Sequence, residues 1–65
     1  MQLVVNGEAR RVEAATLAQA LLELGYRDAR VATALNGLFV PAGQRAAQAL
    51  GDGDALEVLA PMQGG

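Results

Sequence analysis

Apolar and polar residues alternate from Met1 to Val5, which sets Met1, Leu3 and Val5 on one face of a strand. Asn6-Gly7 follows, a pair suited to a type I′ turn because both central positions need positive φ. Residues 8–13 then return as a second strand. A two-residue loop sets Val5 opposite Glu8, Leu3 opposite Arg10 and Met1 opposite Val12. Arg10 is the odd residue on the apolar face, with a stem able to cover the core edge while its guanidinium reaches water. Ala14-Ala15-Thr16 breaks the alternation. Thr16 and Gln19 fit a capping box, in which each side chain satisfies the other's free N–H. Leu17, Ala20, Leu21 and Leu24 recur at helical spacing, predicting a short helix over 17–24 with one apolar face, closed by Gly25.

A polar connection over 26–30 leads to a strand over 31–35 that has small residues on one side. Asn36-Gly37 predicts a second hairpin turn, and 38–40 a short return strand stopped by Pro41, which has no N–H for a ladder. Residues 42–51 read as a loop with a short helical turn, anchored by Leu50. Gly51-Asp52-Gly53-Asp54 is a turn cluster. The final strand, 55–60, sets Leu56, Val58 and Ala60 on one face and Glu57 and Leu59 on the other.

The element order is strand, strand, helix, strand, strand, strand. A single amphipathic helix needs one sheet face to bury it. With that helix between two hairpins, the first and last strands fall side by side at the sheet centre. The fold class is therefore α+β: a ubiquitin-like β-grasp, with a mixed sheet of four to five strands packed on one helix. The expected organisation is a domain over 1–61 and a flexible Gly-Gly tail over 62–65. The second sheet face is left uncovered and is expected to carry Val4, Leu38 and Leu59. Such a face suits docking, although scattered exposed aliphatics are also ordinary.

Composition narrows the chemistry. The 65 residues include no Cys, His or Lys, and all five basic residues are Arg. Thiol chemistry, Schiff-base chemistry and the usual general base are thereby removed. A net charge of −2 gives nucleic-acid binding no electrostatic support, and two aromatic residues, Tyr26 and Phe39, do not make a base-stacking platform. No apolar run approaches the roughly 20 residues that span a bilayer, and the first residues lack a signal-peptide pattern, so a cytoplasmic setting is expected. Asp52 and Asp54 supply far fewer oxygens than a calcium site takes, and they read as an acidic turn. Thr16 has no base to activate it and reads as a cap. No catalytic residue and no metal site is expected; the chain is not read as an enzyme.

The remaining reactive group is at the end of the chain. Four residues beyond Pro61 reach roughly 13 Å when extended, and Gly64 and Gly65 lack the Cβ that would obstruct a narrow channel. The Gly65 carboxyl is the least hindered acyl centre a chain offers. The plain alternative is a frayed terminus without function.

The Asn6-Gly7 hairpin, the 16–25 helix with its cap, 31–37 ending in Asn36-Gly37, Phe39-Val40-Pro41, Asp52-Gly53-Asp54 before Leu56-Glu57-Val58, and terminal Gly64-Gly65 together resemble the ThiS sulfur carrier family of bacterial thiamine biosynthesis. The resemblance covers nearly the whole chain. It implies that a ThiF-type adenylyltransferase, using ATP and magnesium, adenylates Gly65. A sulfur donor protein then converts the adenylate to a thiocarboxylate, and thiazole synthase accepts the sulfur. It implies, too, that Met62, Gln63, Gly64 and Gly65 enter partner active sites. Two departures stand out: no Trp follows Val40-Pro41, and Met62-Gln63 replaces the small or branched residues the family resemblance leads one to expect. Two alternatives stay open: a sulfur carrier for molybdopterin or amino-acid biosynthesis, and a ubiquitin-like protein modifier.

Overall fold

The computed structural model describes residues 1–26 and 30–60. Strands β1 (Gln2–Val5) and β2 (Glu8–Arg11) form the first antiparallel hairpin. Asn6 and Gly7 stand at φ 50° and 83°, both positive as a type I′ turn demands. Val5 pairs with Glu8 and Leu3 with Arg10, as the loop length implies. The Met1 amino group donates to the Val12 carbonyl at 2.7 Å, and the Val12 N–H returns to Met1 at 2.9 Å. The second strand is shorter than expected, ending at Arg11 instead of residue 13. The N–H groups of Glu13 and Ala14 are taken by the Glu23 carboxylate at 2.8 and 3.0 Å, so they no longer serve a ladder.

Helix α1 (Leu17–Glu23) buries Leu17, Ala20 and Leu21. Thr16 caps it, its Oγ1 accepting the Gln19 N–H at 3.3 Å. The return half of the capping box differs from expectation: Gln19 Oε1 accepts from the Ala15 N–H, at 3.3 Å, one residue before the cap. The approach to the helix is tied down by an antiparallel bridge between Thr16 and Ala49. Leu24 is the C-cap, and Gly25 follows at φ 97°.

Strands β3 (Ala32–Leu35) and β4 (Leu38–Val40) form the second hairpin, again over an Asn-Gly pair at φ 50° and 83°. A 3₁₀ helix (Ala42–Ala47) and the 51–54 turn lead to β5 (Ala55–Leu59). The sheet order is β2-β1-β5-β3-β4. β5 lies in the middle, parallel to β1 and antiparallel to β3. This is the β-grasp arrangement, with its first and last strands adjacent. β3 starts one residue later than expected, because Arg45 Nη2 occupies the Val31 carbonyl at 2.6 Å. β5 ends at Leu59, which makes its last pair with Ala32.

The core lies between the helix and one sheet face. Leu3, Val12, Leu17 and Leu56 are fully buried there, and Leu50 packs against them. Thr33 is the one polar side chain buried among the described residues. Burying a hydroxyl is tolerated only when it is hydrogen-bonded. Thr33 Oγ1 donates to the Val40 carbonyl at 2.8 Å and accepts from Arg45 Nε at 3.1 Å. Arg45 thus fastens the 3₁₀ helix to β3, in a loop where sequence showed no aromatic anchor. The expected domain boundary after Pro61 and the tail over 62–65 lie outside the described residues.

The tail-bearing strand and the uncovered sheet face

β5 is the strand that leads to the carboxyl-terminal segment, and its main chain is held on both edges. Toward β1, the Val4 N–H donates to the Asp54 carbonyl and the Asn6 N–H to the Leu56 carbonyl, both at 2.9 Å. Toward β3, pairing continues to Leu59. The two turn asparagines add side-chain bonds. Val58 N–H donates to Asn6 Oδ1 at 2.9 Å, and Asn6 Nδ2 donates to the Val58 carbonyl at 3.1 Å. At the other end, Ala55 N–H donates to Asn36 Oδ1 at 2.9 Å.

The acidic turn is structural. The Gln2 N–H donates to Asp52 Oδ1 and the Gly51 N–H to Asp54 Oδ2, each at 2.7 Å. Asn36 Nδ2 donates to Asp54 Oδ1 at 3.0 Å. The two bonds to Asp54 favour its carboxylate form. The Asn36 side chain, and next the Gly51 N–H, hold the Asp54 carboxyl below its ordinary value, while slight burial opposes them. A carboxyl whose folded pKa is depressed stabilises the fold above its unfolded pKa of about 3.9, and that contribution disappears as pH falls through the lower folded pKa. Wild type is therefore expected to unfold at a higher temperature than D54N at neutral pH. The gap should narrow as the solution is acidified below about pH 4, as thermal melts across a pH series would measure. A gap independent of pH would contradict the assignment.

The sheet face away from the helix carries Val4, Leu59 and Phe39, with Ala32 and Ala34 between the last two. Val4 is 36% exposed, Phe39 68% and Leu59 74%. Asn6, Ala32, Ala34, Phe39, Glu57 and Leu59 are among the residues lining a shallow groove of about 380 Å³. Leu38, expected on this face, is not part of it. The two-residue turn makes Leu38 the partner of buried Leu35, and opposite residues in a ladder share a face. Leu38 is exposed only because it lies at the margin of the helix-covered side. Phe39, one position on, occupies the outer face instead. Met62, Gln63, Gly64 and Gly65, the residues expected to enter a partner, lie outside the described residues.

The sequence model of the ThiS family matches residues 3–65. The chain belongs to the ThiS family. It is a small sulfur carrier protein of thiamine biosynthesis. The sulfur carrier protein ThiS of Thermus thermophilus is 44% identical, with 94% of this chain and 95% of the relative covered. A thiazole synthase of Paramagnetospirillum magneticum is also 44% identical over all of this chain, which spans only 20% of that relative's length. The crystal structure of the thiamine biosynthesis protein ThiS from Geobacter metallireducens superimposes with a TM-score of 0.81 at 35% identity, covering all of both chains. Its solution structure gives the same TM-score over all of this chain and 88% of the other. No helix among the described residues is long and apolar enough to cross a membrane.

Proposed function

We propose that the Gly65 carboxylate is the group on which this ThiS-family chain works. A carboxylate is a poor acyl electrophile. An adenylyltransferase of the ThiF type, using ATP and magnesium, joins a Gly65 oxygen to the α-phosphorus and releases pyrophosphate. The acyl adenylate then carries AMP as a good leaving group. Sulfide-level sulfur delivered by a sulfur donor protein attacks the acyl carbon, the C–O bond to AMP breaks with AMP taking the electron pair, and the thiocarboxylate that results holds negative charge on sulfur. Thiazole synthase takes that sulfur into the thiazole ring of thiamine. The sulfur sits on the main chain throughout, which accords with a sequence that has no Cys. All of these partners operate in the cytoplasm in this reading.

The observation that carries the reading is the placement of β5. The strand runs through the centre of the sheet, bonded on both edges, and ends at Leu59 on an uncovered apolar face. A partner covering that face would hold the segment at a fixed distance from its own active site. Glu57 lies within the groove on that face, so a covering partner must offer its carboxylate a cation or donor.

The docking face makes a discriminating prediction. F39A is expected to raise the Kd for the adenylyltransferase about tenfold, the loss typical of an aromatic anchor. L38A, on the other face, should change it less than about twofold. Calorimetric titration of both variants checks this. Equal losses for the two would assign docking to the sheet margin.

The pathway is tested by reconstitution. The sulfur-loaded carrier is offered separately to thiazole synthase and to the large subunit of a molybdopterin synthase, and product formation is followed. Sulfur delivery to the thiazole alone is expected. Delivery to molybdopterin, or attachment of the chain to protein lysines, would favour the other two readings.

A further inference from the structure

The β1–β5 ladder runs out before β5 does. The last residue pair is Val5 with Leu56, and the Asn6 N–H adds one further bond to the Leu56 carbonyl. The chain then turns away at Gly7 toward β2. Without help, the next main-chain groups on that edge of β5, the N–H and carbonyl of Val58, would be left without a strand partner. Asn6 supplies one from its side chain. Its carboxamide presents an acceptor oxygen and an N–H donor side by side, and both bond Val58, at 2.9 and 3.1 Å. The turn needs only a residue that tolerates positive φ, and glycine would serve. The carboxamide therefore does a second job that the turn does not require.

We propose that Asn6 is a positioning residue for the carboxyl-terminal segment. By gripping both main-chain groups of Val58, it fixes where and in which direction the segment leaves the sheet. This sets the point and direction from which the chain continues toward Gly65, seven residues further on. The proposal rests on the reading that Gly65 is the activated group. Preorganisation lowers the ordering cost of binding. Losing the grip therefore acts chiefly on capture of the segment, and saturating partner restores the turnover rate.

Asn36 provides a matched control. It sits at the same position of an identical turn, at the same φ of 50°. It grips the opposite end of β5, at Ala55. N6G and N36G both keep the turn and remove one side-chain clamp. The experiment measures adenylation by a ThiF-type adenylyltransferase, as pyrophosphate release, well below the unfolding temperature of each variant. It also measures hydrogen exchange at the Val58 and Leu56 amides.

For N6G, exchange at Val58 is expected to quicken about tenfold, the effect of one lost hydrogen bond. Exchange at Leu56 should hold, KM should rise about tenfold and kcat should change little. For N36G, thermal stability should fall while KM stays within about twofold of wild type. N6D keeps the acceptor for the Val58 N–H but has no donor for the carbonyl, so an intermediate KM is expected; it decides the matter should N6G fail to fold. A wild-type KM in N6G with Val58 freely exchanging would overturn the proposal, as would equal KM increases in N6G and N36G. Absence of pyrophosphate release from wild type would instead sink the carrier reading itself.

Discussion

Removing Gly65 is expected to abolish adenylation and to leave the fold intact. The two halves of this result come from different parts of the molecule. Every described core residue lies between Leu3 and Val58, and the strand pairing ends at Leu59. The described core and strand pairing lie within residues 2–59, so the unfolding midpoint is expected to shift by no more than about 0.5 kcal/mol of stability, the usual scale away from packed features. The chemistry has no such reserve. Deletion moves the carboxylate back by one residue, roughly 3.3 Å of extended chain. Misplacement of a reacting group by about 1 Å can already cost about a hundredfold in rate. Thermal melting and pyrophosphate release on the same sample measure both halves. Loss of the fold on deletion would mean that the segment is part of the core.

Replacing Leu56 by Ala is expected to have the largest effect on stability. Leu56 has no exposed surface. It lies on the central strand, between Val5 of β1 and Leu35 of β3, and faces the helix from the middle of the sheet. Truncating a buried leucine costs about 2–5 kcal/mol from lost burial and the cavity left behind. Domains hold roughly 0.05–0.15 kcal/mol of stability per residue, about 3–10 kcal/mol at this length. The substitution therefore removes a large share of the total. Urea denaturation should show it as a lower midpoint at unchanged slope. The neighbouring change L59A, on a side chain that is 74% exposed, should cost about 0.5 kcal/mol or less. A loss below about 1 kcal/mol at Leu56 would contradict the packing described.

The fold was legible in the chain wherever a local rule acts alone. The Asn-Gly pairs specified both hairpins and the first register. The Leu17, Ala20, Leu21 spacing specified the helix and its buried stripe. Element order then sufficed to bring β1 and β5 together. The assignment of Leu38 to the open face failed for a reason that is itself legible. The register rule that sets Val5 opposite Glu8 also sets Leu35 opposite Leu38. Applied to the second hairpin, it puts Leu38 with Leu35 on the helix side and leaves Phe39 outside. The side-chain fastenings were not legible. Asn6 reaches Val58 across 52 positions, and Arg45 reaches Thr33 from a loop of no regular pattern. Such contacts depend on which strands lie side by side and at what register, which no local spacing encodes. The Glu23 carboxylate that ends β2 is of the same kind.

The candidate site divides along the same line. Excluding Cys, His and Lys chemistry points to the chain's carboxyl end from the sequence alone. The groove around Glu57 and the clamp on Val58 emerged only from the three-dimensional arrangement. Together they describe a small protein whose sheet is built to hold one strand steady, with the apolar face beside it open.

The central claim is that Gly65 carries the sulfur. The most direct test is intact-mass analysis of the chain after co-expression with an adenylyltransferase of the ThiF type and a sulfur donor, followed by mapping of the carboxyl-terminal peptide. The account predicts a gain equal to the replacement of one oxygen by sulfur, located on Gly65. An unchanged mass, with both partners shown to be active on another carrier, would contradict it.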